Sequence, residues 1–243
     1  MATKDFAHLH VHTEYSMLDG AARLGDLFSY AKELGMSSMA TSDHGFLFGA
    51  FDFWRQAKAH DIKPIIGVEA YLTPGTHRTD RSRVRWGDGS RDDVSGGGAY
   101  THMTMWAETT EGMHNLFRAS SIASLEGQLY KPRMDREVLQ TYSKGLIATT
   151  GCPSGEIQTR LRLGQFDEAL QAASDFRDIF GKENFYCEVM DHGLDIERNV
   201  QEDLHRLAKQ LNLPYVATND LHYTRQEDHT AHAALLCVQS GST

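Results

Sequence analysis

Seven short apolar runs, separated by stretches of helical period, set the frame for this 243-residue chain. Leu24, Leu27, Phe28, Ala31 and Leu34 recur at three-four spacing and predict a helix over 24–34, with Gly35 free to cap it. The same reading predicts helices over 48–60, 111–124, 135–142, 154–163 with Ser154 as N-cap, 166–180, 196–211 and 227–238. Strands are predicted over 6–12, 37–41, 63–72, 100–107, 145–150, 184–190 and 215–218, with a turn near Lys131-Pro132. Strands in alternation with helices predict an α/β fold built on a parallel sheet, and seven of them predict a closed or nearly closed barrel. In such a barrel functional side chains collect where strands run out into the following loops.

Residues 73–98 break the rhythm. They hold Gly75, Gly87, Gly89 and the triplet Gly96-Gly97-Gly98, with Arg78, Arg81, Arg83, Arg85 and Arg91 and few apolar residues. A stretch of that kind reads as a flexible insertion in an otherwise single domain spanning 1–243. The three cysteines, Cys152, Cys187 and Cys237, lack CxxC spacing, which excludes a zinc finger and gives no disulfide framework. No run approaches a membrane span, and Met1 to Asp5 lacks the apolar core of a signal peptide, so the expectation is a cytoplasmic protein with no membrane partner. A formal charge of -9 argues against broad nonspecific nucleic-acid binding. Bound divalent cations reverse that argument locally.

The polar residues are informative through their positions. His8, His10 and His12 alternate along the first predicted strand and therefore share a face, where a metal ion would satisfy several imidazoles at once. Asp19 follows that strand, and Asp43 and His44 follow the second. Glu69 lies inside the apolar third run, His102 on the fourth, Cys152 after the fifth, and Asp220 and His222 after the seventh. The sixth offers Glu188, with Asp191 and His192 just beyond. Taken singly, each has an ordinary structural reading: a salt bridge for Glu69, a core histidine for His102, a small buried hydrophobe for Cys152, a turn residue for Asp19, and for Asp43 a group that orients a histidine. Taken together, His10, His12, Asp19, His44, Glu69, His102, Cys152, Asp220 and His222 are too many for one ion and suit two or three. Mixed imidazole, carboxylate and one thiolate favour Zn2+, with Mn2+ or Fe2+ tolerated. Clustered divalent ions suit phosphoester hydrolysis by an activated water.

These motifs carry a resemblance. His10-x-His12, Ser42-Asp43-His44-Gly45, Ile65-Ile66-Gly67-Val68-Glu69, Thr149-Thr150-Gly151-Cys152 and Thr218-Asn219-Asp220-Leu221-His222 together resemble the polymerase-and-histidinol-phosphatase (PHP) domain. The opening His8-Leu9-His10-Val11-His12-Thr13-Glu14-Tyr15-Ser16-Met17-Leu18-Asp19-Gly20 is similar to the start of the α subunits of the bacterial replicative DNA polymerase III family. The resemblance implies a distorted seven-stranded (βα)7 TIM-like barrel with a trinuclear centre. One ion would be held by His10, His12, Glu69 and Asp220, a second by Glu69, His102 and Cys152, and a third by Asp19, His44 and His222. Some family members have lost several of these ligands and keep the domain as structure; all nine positions here are ligand-competent.

The resemblance thus implies a 3′→5′ exonuclease that proofreads DNA, with Asp19, Glu69 and Asp220 as its acting carboxylates. It implies the 3′ end of a primer strand, the remainder of the polymerase chain and replisome subunits as partners. The chain stops where the polymerase portion would begin, so the expectation is an excised domain that does not synthesise DNA. Arg78, Arg81, Arg83, Arg85, Lys131 and Arg133 are the candidates for holding the DNA backbone. Two alternatives remain: a small-molecule phosphoesterase of histidinol-phosphatase type, and a catalytically silent scaffold braced by metals.

Overall fold

A computed structural model describes residues 6–88 and 94–242; Gly89 and Arg91 of the arginine-rich stretch and residues 1–5 lie outside the described residues. The chain gathers into two compact units, Met1–Val68 with Asn219–Thr243, and Glu69–Thr218.

In the first unit, α1 (Leu24–Glu33) follows the predicted spacing and buries Leu24, Leu27, Phe28 and Ala31. No side chain of its own caps its start, but the Leu24 N–H donates to Glu14 Oε1 at 3.1 Å, which meets one of the orphan donors of the first turn. Its apolar stripe packs on α2 (Ala50–Ala59), with the Phe28 and Phe53 rings 4.8 Å apart, edge to face. Burying a side chain such as Phe28 contributes about 1.5–3 kcal/mol. Between these helices runs β1 (Ser38–Thr41), parallel to the first half of β2 (Lys63–Leu72).

The His8–Thr13 segment, expected to be a strand, is extended but joined only by single bridges, Val11 to Leu221 and Thr13 to Ala22. It lies between two neighbours: the Ala40 and Ser42 N–H groups donate to the His8 and Val11 carbonyls on one side, and His12 N–H donates to the Leu221 carbonyl on the other. Val11 is fully buried in the hydrophobic core of this unit. A 3-10 turn at Gln226–Asp228 leads into the last helix, α9 (His229–Ser240).

The second unit holds the distal half of β2, β3 (Thr101–Ala107), a hairpin of β4 (Gln128–Leu129) and β5 (Lys131–Met134), β6 (Leu146–Thr149), β7 (Phe185–Val189) and β8 (Tyr215–Ala217), in the order β4-β5-β2-β3-β6-β7-β8. A single helical turn, α3 (Ser95–Gly98), precedes β3. The longer helices are α4 (Thr110–Glu126), α5 (Arg136–Tyr142), α6 (Glu156–Arg162), α7 (Phe166–Phe180) and α8 (Asp195–Leu211). Thr109 and Asp135 cap α4 and α5 through hydrogen bonds from the Gly112 and Val138 N–H groups. The start of α6 departs from expectation, since Gly155 occupies the N-cap and Ser154 does not. Phe176 and Phe180 of α7 pack on Phe185 of β7.

Three further expectations are corrected here. The pairings β2–β5, β6–β7 and β7–β8 are parallel, but β3 runs antiparallel to β6. The turn near Lys131-Pro132 is the β4–β5 hairpin, with Tyr130 at its tip in the left-handed region at φ 62°. Among the described residues the strand path of this unit ends at β4 and β8 and is not a closed ring of seven. No described helix is long and apolar enough to cross a membrane.

Candidate metal centre

The first unit collects six of the nine candidate ligands from four stretches of chain. His10 and His12 come from the extended N-terminal segment and are fully buried. Their Nε2 atoms converge on one oxygen, Asp220 Oδ1, at 3.3 and 3.2 Å. Asp220 is held at positive φ (44°) immediately before Leu221, the residue paired with that segment. A second focus forms at Asp19, whose Oδ2 lies 2.6 Å from His44 Nε2 and 3.3 Å from His222 Nε2. The two foci share His12, with its ring 4.2 Å from that of His44 and 4.4 Å from that of His222. One donor atom each from His10, His12 and Asp220 lie within 4.8 Å of one another, as do those from His12, His44 and His222.

Tautomers follow from what surrounds the rings. Ser16 Oγ donates to the Asp43 carboxylate at 2.7 Å, so its lone pairs face His12 Nδ1 at 3.0 Å and accept the proton carried there. His12 Nε2 is left with a lone pair aimed at the lone pairs of Asp220. His222 Nδ1 donates to the Asp220 backbone carbonyl at 2.7 Å, so its Nε2 likewise faces Asp19. Lone pair against lone pair at such distances needs a proton or a cation between them. The donor set, buried imidazole nitrogens with carboxylate oxygens, fits a borderline divalent ion such as zinc, manganese or iron(II).

The same electrostatics appear in the titration of the acid and base. Burial works against the Asp19 carboxylate, yet hydrogen bonds from His222 and His44, with their charge, hold it well below the usual carboxylate range. For His222, burial opposes the imidazolium, while the hydrogen bond to Asp19 and the charges of Asp220 and Asp19 raise its pKa.

Asp43 is not among these ligands but fixes them. Its carboxylate accepts from the Thr13 N–H and hydroxyl, the Ser16 hydroxyl and the Thr41 hydroxyl. Ser16 in turn accepts from the His44 N–H at 3.1 Å. One buried carboxylate therefore orients both His12 and the backbone of His44, the role of a group outside the ligands that sets ring orientation. Sequence reading named Asp43 and missed Thr13, Ser16 and Thr41, whose only signal is hydroxyl chemistry close to metal-ligand types.

In the second unit the remaining three ligands meet. Glu69, only 1% exposed within the buried half of β2, has Oε1 3.1 Å from His102 Nδ1 and accepts a hydrogen bond from Cys152 Sγ at 3.2 Å. The sulfur lies 3.9 Å from His102 Nδ1. Antiparallel pairing explains the meeting: it sets the start of β3, where His102 sits, beside the end of β6, where Cys152 follows. Gly151, at φ 83°, and Gly155 allow the Cys152 loop to lie against the His102 carbonyl, which a Cβ at Gly151 would approach to 2.9 Å. A half-buried imidazole with a buried carboxylate and thiol forms a softer set than that of the first unit.

The other polar candidates separate cleanly. Glu188 is fully buried and accepts from the hydroxyls of Thr149 (2.5 Å) and Thr218 (2.7 Å), while His192 Nδ1 pairs with Glu197 at 2.6 Å. Arg133, expected to hold DNA, is corrected: it is 0% exposed and its guanidinium donates to the carbonyls of Gly127, Ala99, Arg78 and Asp80. It anchors the arginine-rich stretch. Arg78 is paired with Glu126, Asp135 and Glu137. Trp86 of the same stretch lies under the Arg160 guanidinium at 3.8 Å, so the segment is tied down at several points despite its composition. Arg81, Arg83 and Arg85 are exposed; Lys131 sits over the Tyr71 ring at 5.3 Å.

Comparison with known proteins places this geometry in a family. The model of the PHP domain matches residues 8–192. A DNA polymerase III subunit alpha from Saccharopolyspora erythraea is 59% identical over 252 residues, covering 100% of this chain and 21% of that protein. The subunit of the same name from Mycobacterium tuberculosis is 54% identical over 245 residues, again covering 100% of this chain and 21% of its own length. The chain thus spans about a fifth of the curated relatives it matches. A two-domain protein from Bacteroides vulgatus, described as containing a predicted PHP-like metal-dependent phosphoesterase, shares the fold at a TM-score of 0.53 and 14% identity, over 91% of this chain and 53% of that one. The family match spans the segments that carry His10, His12, Asp19, His44, Glu69, His102 and Cys152, and the relatives cover the rest: the chain belongs to the PHP domain family, in the form carried by DNA polymerase III α subunits.

Proposed function

We propose that this chain is a metal-dependent 3′→5′ exonuclease domain that removes terminal nucleotides from primer DNA within a cytoplasmic replicative polymerase. The observation that carries the reading is the convergence of His10 and His12 on Asp220, and of His44 and His222 on Asp19, with the Nε2 lone pairs of His12 and His222 facing carboxylate oxygens. Three divalent ions, zinc foremost with manganese or iron(II) as alternatives, would be held by the nine candidate side chains. When bound, such ions activate a water for attack on phosphorus and neutralise charge on the departing oxygen.

The side chains supply the rest. Asp19 stays ionised across the neutral range because His222 and His44 hold its proton affinity down. The Asp43–Ser16 pair keeps the His12 proton on Nδ1 and so keeps Nε2 available as a donor atom. Glu69, with His102 and the Cys152 thiol against one of its oxygens, is the carboxylate of the second unit that would hold a cation together with them. The relatives, being polymerase α subunits about five times as long, support a DNA 3′ end as substrate and the remainder of such a chain, with replisome subunits, as partners.

The test is a comparison of substrates. The chain is incubated with 3′-mismatched primer DNA and with a phosphate monoester, each with and without chelator. Digestion of DNA that disappears on chelation and in Asp19→Asn is the expected result. Turnover of the monoester alone would replace this reading with a small-molecule phosphatase, and turnover of neither substrate by the metal-loaded chain would count for a scaffold.

A further inference from the structure

Beside the Glu69–His102–Cys152 cluster of the second unit lies an alternation of rings and cations that the ligand chemistry does not use. Tyr71 meets the His102 ring edge-on at 5.1 Å, and Tyr100 stacks on it at 5.8 Å. Lys131 Nζ sits over the Tyr71 ring, one ring removed from His102. At the hairpin tip Tyr130 is 72% exposed, and the Arg83 guanidinium lies over its ring at 5.1 Å. Arg83 is steadied by hydrogen bonds from one of its nitrogens to the Gly96 and Gly97 carbonyls.

Both cations lie over aromatic rings. The chain carries 33 acidic against 24 basic residues, and Arg78, Arg136 and Arg177 of this unit are all paired with carboxylates. Among the described residues no carboxylate pairs with Arg83 or Lys131. Cations left without counter-ions on an acidic protein, next to an exposed aromatic ring, have the composition of a single-strand nucleic-acid track, in which cations meet phosphates and rings stack on bases.

We propose that Arg83, Tyr130 and Lys131 form a binding subsite for single-stranded nucleic acid that leads to the His102 side of the metal centre. Lys131 and Arg83 contact backbone phosphates, and a base stacks on Tyr130. Tyr71 carries Lys131 in place and is itself only 3% exposed, so it takes no base. The proposal rests on the exonuclease reading for its direction, since it takes the strand to be one whose end is cut.

Binding is measured separately from cleavage. A fluorescently labelled short oligothymidylate with phosphorothioate linkages is titrated with the metal-loaded chain, and anisotropy is followed at several salt concentrations. Tyr130→Asn removes the ring with a residue that tolerates the left-handed backbone, and is expected to weaken binding by roughly tenfold, within the range for loss of one base stack. Tyr130→Phe is expected to bind as the parent does. Lys131→Ala and Arg83→Ala are each expected to reduce the salt dependence by about 0.7 in log-log slope. An abasic strand is expected to bind the parent as weakly as oligothymidylate binds Tyr130→Asn. If Tyr130→Asn melts early, Tyr130→Gly suits φ 62° and takes its place.

Unchanged affinity in the Tyr130 and Lys131 variants, or equal binding of abasic and normal strands, overturns the subsite. The two readings fail separately. Binding as described with no cleavage of a normal phosphodiester sinks the exonuclease and keeps the subsite, whereas cleavage with variant binding unaltered does the reverse.

Discussion

In the first unit six candidate ligands, four of them imidazoles, come from an extended N-terminal segment joined only by single bridges, from a turn at Asp19, from the loop after β1 and from the stretch around Leu221. In the second, one imidazole, one carboxylate and one thiol are set by regular strands and a glycine-bounded loop. The difference teaches how each cluster is kept in shape. Where the backbone is irregular, side-chain hydrogen bonds do the orienting, through Asp43 to Thr13, Ser16 and Thr41. Where strands are regular, an antiparallel register and two glycines bring the three side chains together.

The strongest way to break this comparison is to remove one carboxylate from the first cluster. Asp220→Asn takes away the negative charge on which His10 and His12 converge and is expected to lower DNA hydrolysis by a hundredfold or more, read as initial rates at saturating metal. Cys152→Ser, which keeps a small polar atom beside Glu69, is expected to lose less, on the order of tenfold. Equal losses would mean that the two clusters do not differ in the way described.

Arg133→Met tests the second unit's dependence on the one buried guanidinium among its described residues. Four carbonyls lose their donor, and unfolding free energy is expected to fall by about 3 kcal/mol or more in a denaturant titration. Direct DNA binding by this residue would instead show as weakened binding with stability unchanged.

Sequence reading singled out the side chains that the structure gathers into clusters because metal-ligating residue types recur at the ends of apolar runs, and that pattern survives whatever the strand direction. It misread Arg133 because the carbonyls that receive it come from positions 78, 80, 99 and 127, and no local pattern links them. It missed the antiparallel course of β3 because a period of two has no direction. Around Lys131-Pro132 only a turn was legible, because the strand that follows it is four residues long, includes a proline and an arginine, and pairs over two residues with each neighbour. The His8–Thr13 stretch was legible as extended and as a ligand source, though its pairing is too broken for a regular strand.

A finer probe of the first cluster is Asp43→Asn. It keeps the size of the side chain but puts a donor where an acceptor faced Ser16 or Thr13, and metal affinity is expected to fall about tenfold to a hundredfold in a chelator competition. A matching change beside the second cluster, Thr149→Val, removes the donor to Glu188 and the acceptor of the Gly151 N–H next to Cys152, and is expected to lower metal affinity by less than about tenfold.

The smallest effect concerns pH in the metal-free chain. Asp19 titrates below its ordinary 3.8, so its stabilising interaction is complete above that value and is lost as pH falls through the depressed pKa. His222 titrates above its ordinary 6.5, so its share is complete below 6.5 and is lost as pH rises through the raised pKa. The difference in melting temperature between the parent and Asp19→Asn, measured in chelator, is therefore expected to be largest between about pH 4 and 6.5 and to shrink on both sides. A difference independent of pH would remove the Asp19–His222 pair from the account.

The central claim is that these clusters are metal sites, and counting the ions tests it most directly. Elemental analysis of the purified chain, joined to anomalous scattering at the metal edges, is expected to give three divalent ions per chain, with loss of occupancy in Asp220→Asn. A chain that carries no divalent ion after purification and takes up none on dialysis against zinc, manganese or iron(II) would contradict it.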